Sequence, residues 1–92
     1  MATISTLPGV QLRFERNDLR ASVTSRRAAN DAWYTDIDIW RVHGDIYVAS
    51  RTSVRDGTAD TEFVVGGQTL VRQFLGNGPL SRMAIADAFG GD

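Results

Sequence analysis

The stretch from Asp31 to Val54 constrains the fold most, because its residue pattern admits a single secondary structure. Thr35, Ile37, Ile39 and Arg41 alternate with Tyr34, Asp36, Asp38 and Trp40. β-Branched and aromatic residues are dense there, the period-two signature of a half-buried strand. After His43-Gly44-Asp45 a second run begins, in which Ile46, Val48 and Val54 share one parity while Tyr47, Arg51 and Arg55 share the other. Two such runs joined by a glycine-containing turn predict a β-hairpin over residues 32–42 and 46–54. A two-residue loop at His43-Gly44 sets Ile39 opposite Val48, Trp40 opposite Tyr47 and Asp36 opposite Arg51. A loop at Gly44-Asp45 gives Arg51 to Asp38 and leaves the expected faces unchanged. Those faces are an apolar one with Ile37, Ile39, Ile46 and Val48, and a mixed one with Tyr34, Asp36, Asp38, Trp40, Tyr47 and Arg51.

The flanks add further elements. Residues 1–7 read as a polar lead-in closed by Pro8-Gly9, and Val10, Leu12 and Phe14 then alternate with polar neighbours. Leu19, Ala21 and Val23 resume the alternation after Asn17-Asp18, so a second hairpin is the preferred reading. The rival is a helix from Asp18 to Ala29 capped by Asn17, because Leu19 and Val23 are also four apart. Beyond the central hairpin, Asp56-Gly57 signals a turn and residues 59–65 a further strand. Gly66-Gly67 stops it. Thr69 is a candidate cap for a helix over 69–75 closed by Gly76, and Pro79 opens a last helix over 79–89. In that helix Leu80, Met83 and Ala84 lie well round from Ile85 and Phe89. Either the helix is wedged between the sheet and its predecessor, or Ile85 and Phe89 face a partner. The expected fold is α+β: a small antiparallel sheet on the central hairpin with two short C-terminal helices on one face. Its core should include Ile37, Ile39, Ile46, Val48, Phe63, Val65, Leu70 and Phe74.

A chain of 92 residues, 42% hydrophobic and 23% charged, is expected to be a single folded domain over 1–92. It contains no cysteine, which excludes disulfides, thiolate catalysis and cysteine-based zinc sites. No apolar run reaches the length of a membrane span, so a soluble, cytoplasmic protein is expected. All ten cations are arginine, and they are unevenly placed. Residues 1–30 carry five arginines against Glu15 and Asp18, a net of +3, while residues 31–92 carry five against nine acids, a net of −4. A basic end on an acidic body follows.

Catalytic chemistry is thinly represented. His43 is the sole histidine and stands at the hairpin turn, with no serine selected by local spacing. Asp36 and Asp38 share a strand face but lack a third ligand, so no metal site is expected. The run Val64-Val65-Gly66-Gly67-Gln68-Thr69 has the order of a phosphate loop without its lysine or later glycine. Neither catalytic residues nor cofactors are expected. Binding residues are easier to name: Arg13, Arg16, Arg20, Arg26 and Arg27 can meet phosphates or carboxylates, and Trp40, Tyr47 and Arg51 lie on the mixed hairpin face. The aromatic residues Trp33, Tyr34, Trp40 and Tyr47 are expected on the acidic hairpin, away from those arginines.

The chain resembles the small phage-encoded anti-CRISPR proteins, most of all inhibitors of the type I-F surveillance complex. The whole chain carries the resemblance, in particular Ala32-Trp33-Tyr34-Thr35-Asp36-Ile37-Asp38-Ile39-Trp40, His43-Gly44-Asp45-Ile46-Tyr47-Val48, and the ending Met83-Ala84-Ile85-Ala86-Asp87-Ala88-Phe89-Gly90. That family has no shared motif, so it assigns no role to any residue here. The resemblance implies a non-enzymatic inhibitor that docks on the crRNA-guided complex, on its Cas proteins or its crRNA, and blocks target DNA binding or pairing. At a net charge of −1 the chain departs from the strongly acidic DNA mimics among those inhibitors. The alternative is a small nucleic-acid-binding or regulatory protein of a mobile element, suggested by the basic N-terminal third.

Overall fold

The alternation between residues 33 and 55 is realised as two long antiparallel strands. A computed structural model describes residues 2–7, 10–14 and 18–90, the first two segments as backbone. In chain order the elements are β1 (Ala2–Leu7), β2 (Val10–Phe14), β3 (Leu19–Thr24), β4 (Trp33–His43), β5 (Ile46–Arg55), β6 (Thr58–Gly66), α1 (Gln68–Leu75) and α2 (Pro79–Phe89). β3, β4, β5 and β6 form a four-stranded antiparallel sheet in that order, and β1 pairs with β2 in a separate two-stranded one. The fold is α+β.

One residue decides the faces of the central hairpin. The turn is Gly44-Asp45, with Gly44 at φ +53°. His43 pairs with Ile46 and Arg41 with Tyr47, leaving Val42 as an extra residue in β4. Such a bulge shifts the register by one, and a one-residue shift exchanges the faces of the partner strand. Ile39 therefore lies opposite Ala49 and Ile37 opposite Arg51, while Trp40 lies opposite Val48 and Asp36 opposite Thr52. The expected pairs Ile39 with Val48, Trp40 with Tyr47 and Asp36 with Arg51 do not form. Tyr47 and Arg51 belong to the Ile37/Ile39 face, and Val48 belongs to the Trp40 face.

The helices cover the Ile37/Ile39 face. Ala21 and Val23 of β3, Ile37 and Ile39 of β4, and Tyr47 and Ala49 of β5 are buried together with Val71, Leu75, Ala84 and Ile85 of the helices. Val71 and Leu75, four apart, point one stripe of α1 at the sheet, which leaves Leu70 43% exposed. Ile46 sits at the turn and is 42% exposed, so neither belongs to the core as expected. Val48 is fully buried, although on the opposite face, and Phe63, Val65 and Phe74 are half-buried. Small residues do much of the packing: Ala21, Ala49 and Ala84 let the helices lie close to the sheet.

At the N-terminus, residues 2–7 are a strand and not a lead-in, and β2 pairs with β1 instead of β3. Residues 19–24 are a strand, as preferred over the helix, but their partner is β4: Ala21 pairs with Ile39 and Val23 with Ile37. That pairing puts two small apolar side chains under α2. Helix α1 begins one residue earlier than expected, with Gly67 and not Thr69 at its N-cap. Gly76, at φ +78°, sends its N–H back to the Arg72 carbonyl. α2 starts with Pro79 in its first turn and is closed by the left-handed Gly90. It lies on the sheet with one stripe buried and is not wedged: Ser81, Ala84 and Ile85 are buried and Phe89 meets Tyr47 edge-on with ring centroids 4.9 Å apart, while Met83 is 56% exposed. No helix among the described residues is long and apolar enough to cross a membrane.

Candidate binding end of the sheet

The connection between β3 and β4 folds back on itself through its own polar groups. Asp31 accepts hydrogen bonds from the backbone N–H groups of Arg27 (2.6 Å) and Ala28 (3.1 Å). Those two bonds hold its carboxyl below the usual carboxylate range, with the charges of Arg26 and Arg27 adding to the effect. Thr24 Oγ1 accepts from the Arg26 N–H at 3.0 Å, and Ser25 Oγ from the Thr35 N–H at 2.7 Å. The β5–β6 turn is tied to the same place, because the Asp56 N–H donates to the Ala32 carbonyl at 2.8 Å. Asp56 and Gly57 have φ of +49° and +82°, the backbone of a tight hairpin turn favoured by an Asp-Gly pair.

This arrangement builds two arginine–aromatic stacks at one end of the sheet. The Arg26 guanidinium carbon lies 3.9 Å from the centroid of Tyr34. Arg55 pairs in register with Trp33, and its guanidinium carbon lies 5.3 Å from the indole centroid. Trp33 is nonetheless 63% exposed. Trp33 and Tyr34 are adjacent in β4 and point to opposite faces, so the stacks straddle the strand end. Stacking restricts a guanidinium before any ligand arrives and leaves its in-plane N–H groups free to donate.

The residues expected to bind do not form one surface. Arg26 and Arg27 belong to this end. Arg20 is exposed on β3, Arg13 lies in β2 with its side chain outside the described residues, and Arg16 is outside them altogether. Trp40 is half-buried in mid-sheet, opposite Val48. Tyr47 is buried against Phe89, and the half-buried Arg51 pairs with Glu62 at 2.8 Å while donating to the Phe74 carbonyl at 3.1 Å. Both are engaged in packing. The expected separation of aromatics from the basic N-terminal third also fails, since Arg26 stacks on a hairpin tyrosine. Trp33 and Arg55 were not among the expected binding residues. Their pairing follows from the Gly44-Asp45 turn together with the extra residue Val42, which set Trp33 opposite Arg55.

His43 is exposed at the opposite end of the sheet. Asp36 and Asp38 line an open groove with Ser22, Thr24 and Arg26, and no group of three or more potential metal ligands occurs among the described residues. Gly66-Gly67 is a strand-to-helix turn, with the Val71 N–H donating to the Gly67 carbonyl. No protein-family model, curated protein or solved structure matches the chain.

Proposed function

We propose that this protein is a non-enzymatic binding module that docks on the type I-F crRNA-guided surveillance complex and blocks target DNA binding or pairing, acting in the cytoplasm of a bacterial host. The pair of stacks, Arg26 on Tyr34 and Arg55 on an exposed Trp33, is the observation that carries the reading. Arginine and tryptophan are the side chains on which interface energy concentrates, and guanidiniums already held in place lose less freedom on docking. Such a surface suits a ribonucleoprotein, which offers phosphates and acidic protein patches together.

The test is co-elution with the purified surveillance complex on a sizing column, with target-DNA capture measured alongside. Co-elution and loss of DNA capture are expected. Reversing Arg16, Arg26 and Arg27 together to Glu is expected to abolish both, whereas Arg13→Ala or Arg20→Ala weakens binding by about 1 kcal/mol, as for peripheral interface residues. Failure of the parent protein to co-elute, with DNA capture intact at excess inhibitor, would refute the reading. The same end also supports the alternative of a nucleic-acid-binding protein of a mobile element. Retention of naked nucleic acid but not of the complex would select it.

A further inference from the structure

We infer that the end of the sheet formed by Arg26, Arg27, Trp33, Tyr34 and Arg55 grips a single nucleic-acid strand, with a base lying on Trp33 and phosphates held by the arginines. The inference rests on the docking reading for the source of the strand, and on geometry for the chemistry. None of the three arginines is within ion-pairing distance of a carboxylate among the described residues. The acid of the same loop, Asp31, accepts from two backbone N–H groups and holds the loop in shape; it feels the charges of Arg26 and Arg27, but neither guanidinium is within ion-pairing distance of it. Beside Trp33, an open depression of about 260 Å³ is lined by Arg55 and by the hydroxyl-bearing Ser25, Thr35 and Ser53.

An exposed indole flanked by a stacked arginine is a platform for an unpaired base. Every base has a π-face, and stacking asks for no particular sequence. A duplex keeps its bases stacked on one another and offers such a ring nothing. Three guanidiniums at one strand end set the electrostatic scale, because each phosphate neutralised on a single strand contributes about −0.7 to the logarithmic salt slope, or about −2 in all.

Fluorescence anisotropy with short labelled oligouridylate and oligothymidylate, and with a duplex of equal length, tests the inference. Both single strands should bind more tightly than the duplex, with a salt slope near −2. Trp33→Ala should weaken binding roughly tenfold and Trp33→Phe much less, since phenylalanine keeps a stacking face. The double reversal of Arg26 and Arg55 to Glu should remove binding, with circular dichroism confirming that each variant is folded. The source of the strand follows from competition: if oligouridylate displaces the protein from the surveillance complex, the strand is one that the complex holds, and if it binds without displacing, the ligand is a free strand. The inference is overturned if neither oligonucleotide binds at low salt, or if the Trp33→Ala and double-reversal variants bind like the parent. Co-elution with the complex would then leave the docking reading standing alone. Oligonucleotide binding without co-elution would reject the docking reading and keep the grip.

Discussion

Arg51→Ala should destabilise the fold by about 2–3 kcal/mol, far more than an exposed charge on a strand would. The guanidinium donates to the Phe74 carbonyl at 3.1 Å, one of the last carbonyls of α1 and without a partner inside the helix. A hydrogen bond from a charged donor of this kind contributes about 1.5 kcal/mol. The same group lies 4.7 Å from the Phe74 ring centroid, worth about 0.5–1 kcal/mol when partly exposed. Its ion pair with Glu62, whose side chain is 66% exposed, adds about 0.5 kcal/mol at most after solvent screening. In a domain of this size the loss corresponds to roughly 8–24 °C in Tm. Thermal and urea denaturation followed by circular dichroism would measure it, with Glu62→Ala as the comparison, expected to cost about 0.5 kcal/mol. A double-mutant cycle between Asp36 and Arg51 should give no coupling, since the bulge at Val42 places them on opposite faces. If Arg51→Ala costs no more than Glu62→Ala, or if Asp36 and Arg51 prove coupled, the register described here is wrong.

Tyr47→Ala should cost about 3 kcal/mol by opening a cavity under α2, and a cycle with Phe89→Ala should return a coupling of about 0.5–1.5 kcal/mol for the edge-on pair; additive losses would contradict that contact. Ser81→Ala should cost about 1–2 kcal/mol, because the buried Ser81 hydroxyl donates to the Leu75 carbonyl at 2.7 Å and its loss leaves that carbonyl unpaired, and chemical denaturation would show it. Asp31 has a folded pKa below its unfolded one, so the stability it contributes is present above the ordinary carboxyl range and fades as the pH falls through the depressed value. Asp31→Asn should therefore be less stable than the parent at neutral pH, with the difference vanishing in acid; a difference that persists unchanged in acid would show that the carboxylate charge is not its source.

The candidate site was half legible in the sequence. Arg26 and Arg27 could be named from the basic N-terminal third, but the stack of Arg26 on Tyr34 could not, because it depends on a loop whose shape is held by Asp31 accepting two N–H groups. Tyr47 and Arg51 face the helices and not solvent for a single reason: the extra residue Val42 in β4 reverses the parity of β5 across the turn, and alternation alone does not reveal a bulge.

What the sequence determined by itself was local. The alternation of Ile37 and Ile39 with Asp36, Asp38 and Trp40 made β4 a strand, and Asp56-Gly57 made a tight turn. Pro79 and Gly90 bounded the last helix. Each of these depends on the sterics and hydrogen bonding of neighbouring residues, which a one-dimensional pattern carries. Only the tertiary structure decided that β3 pairs with β4 and β2 with β1, and that Val42 bulges. Strand pairing is a competition among edges with similar backbone hydrogen bonds. It is settled by which arrangement lets the apolar faces of Val71, Leu75, Ala84 and Ile85 close over Ala21, Val23, Ile37 and Ile39, a condition set by residues far apart in the chain.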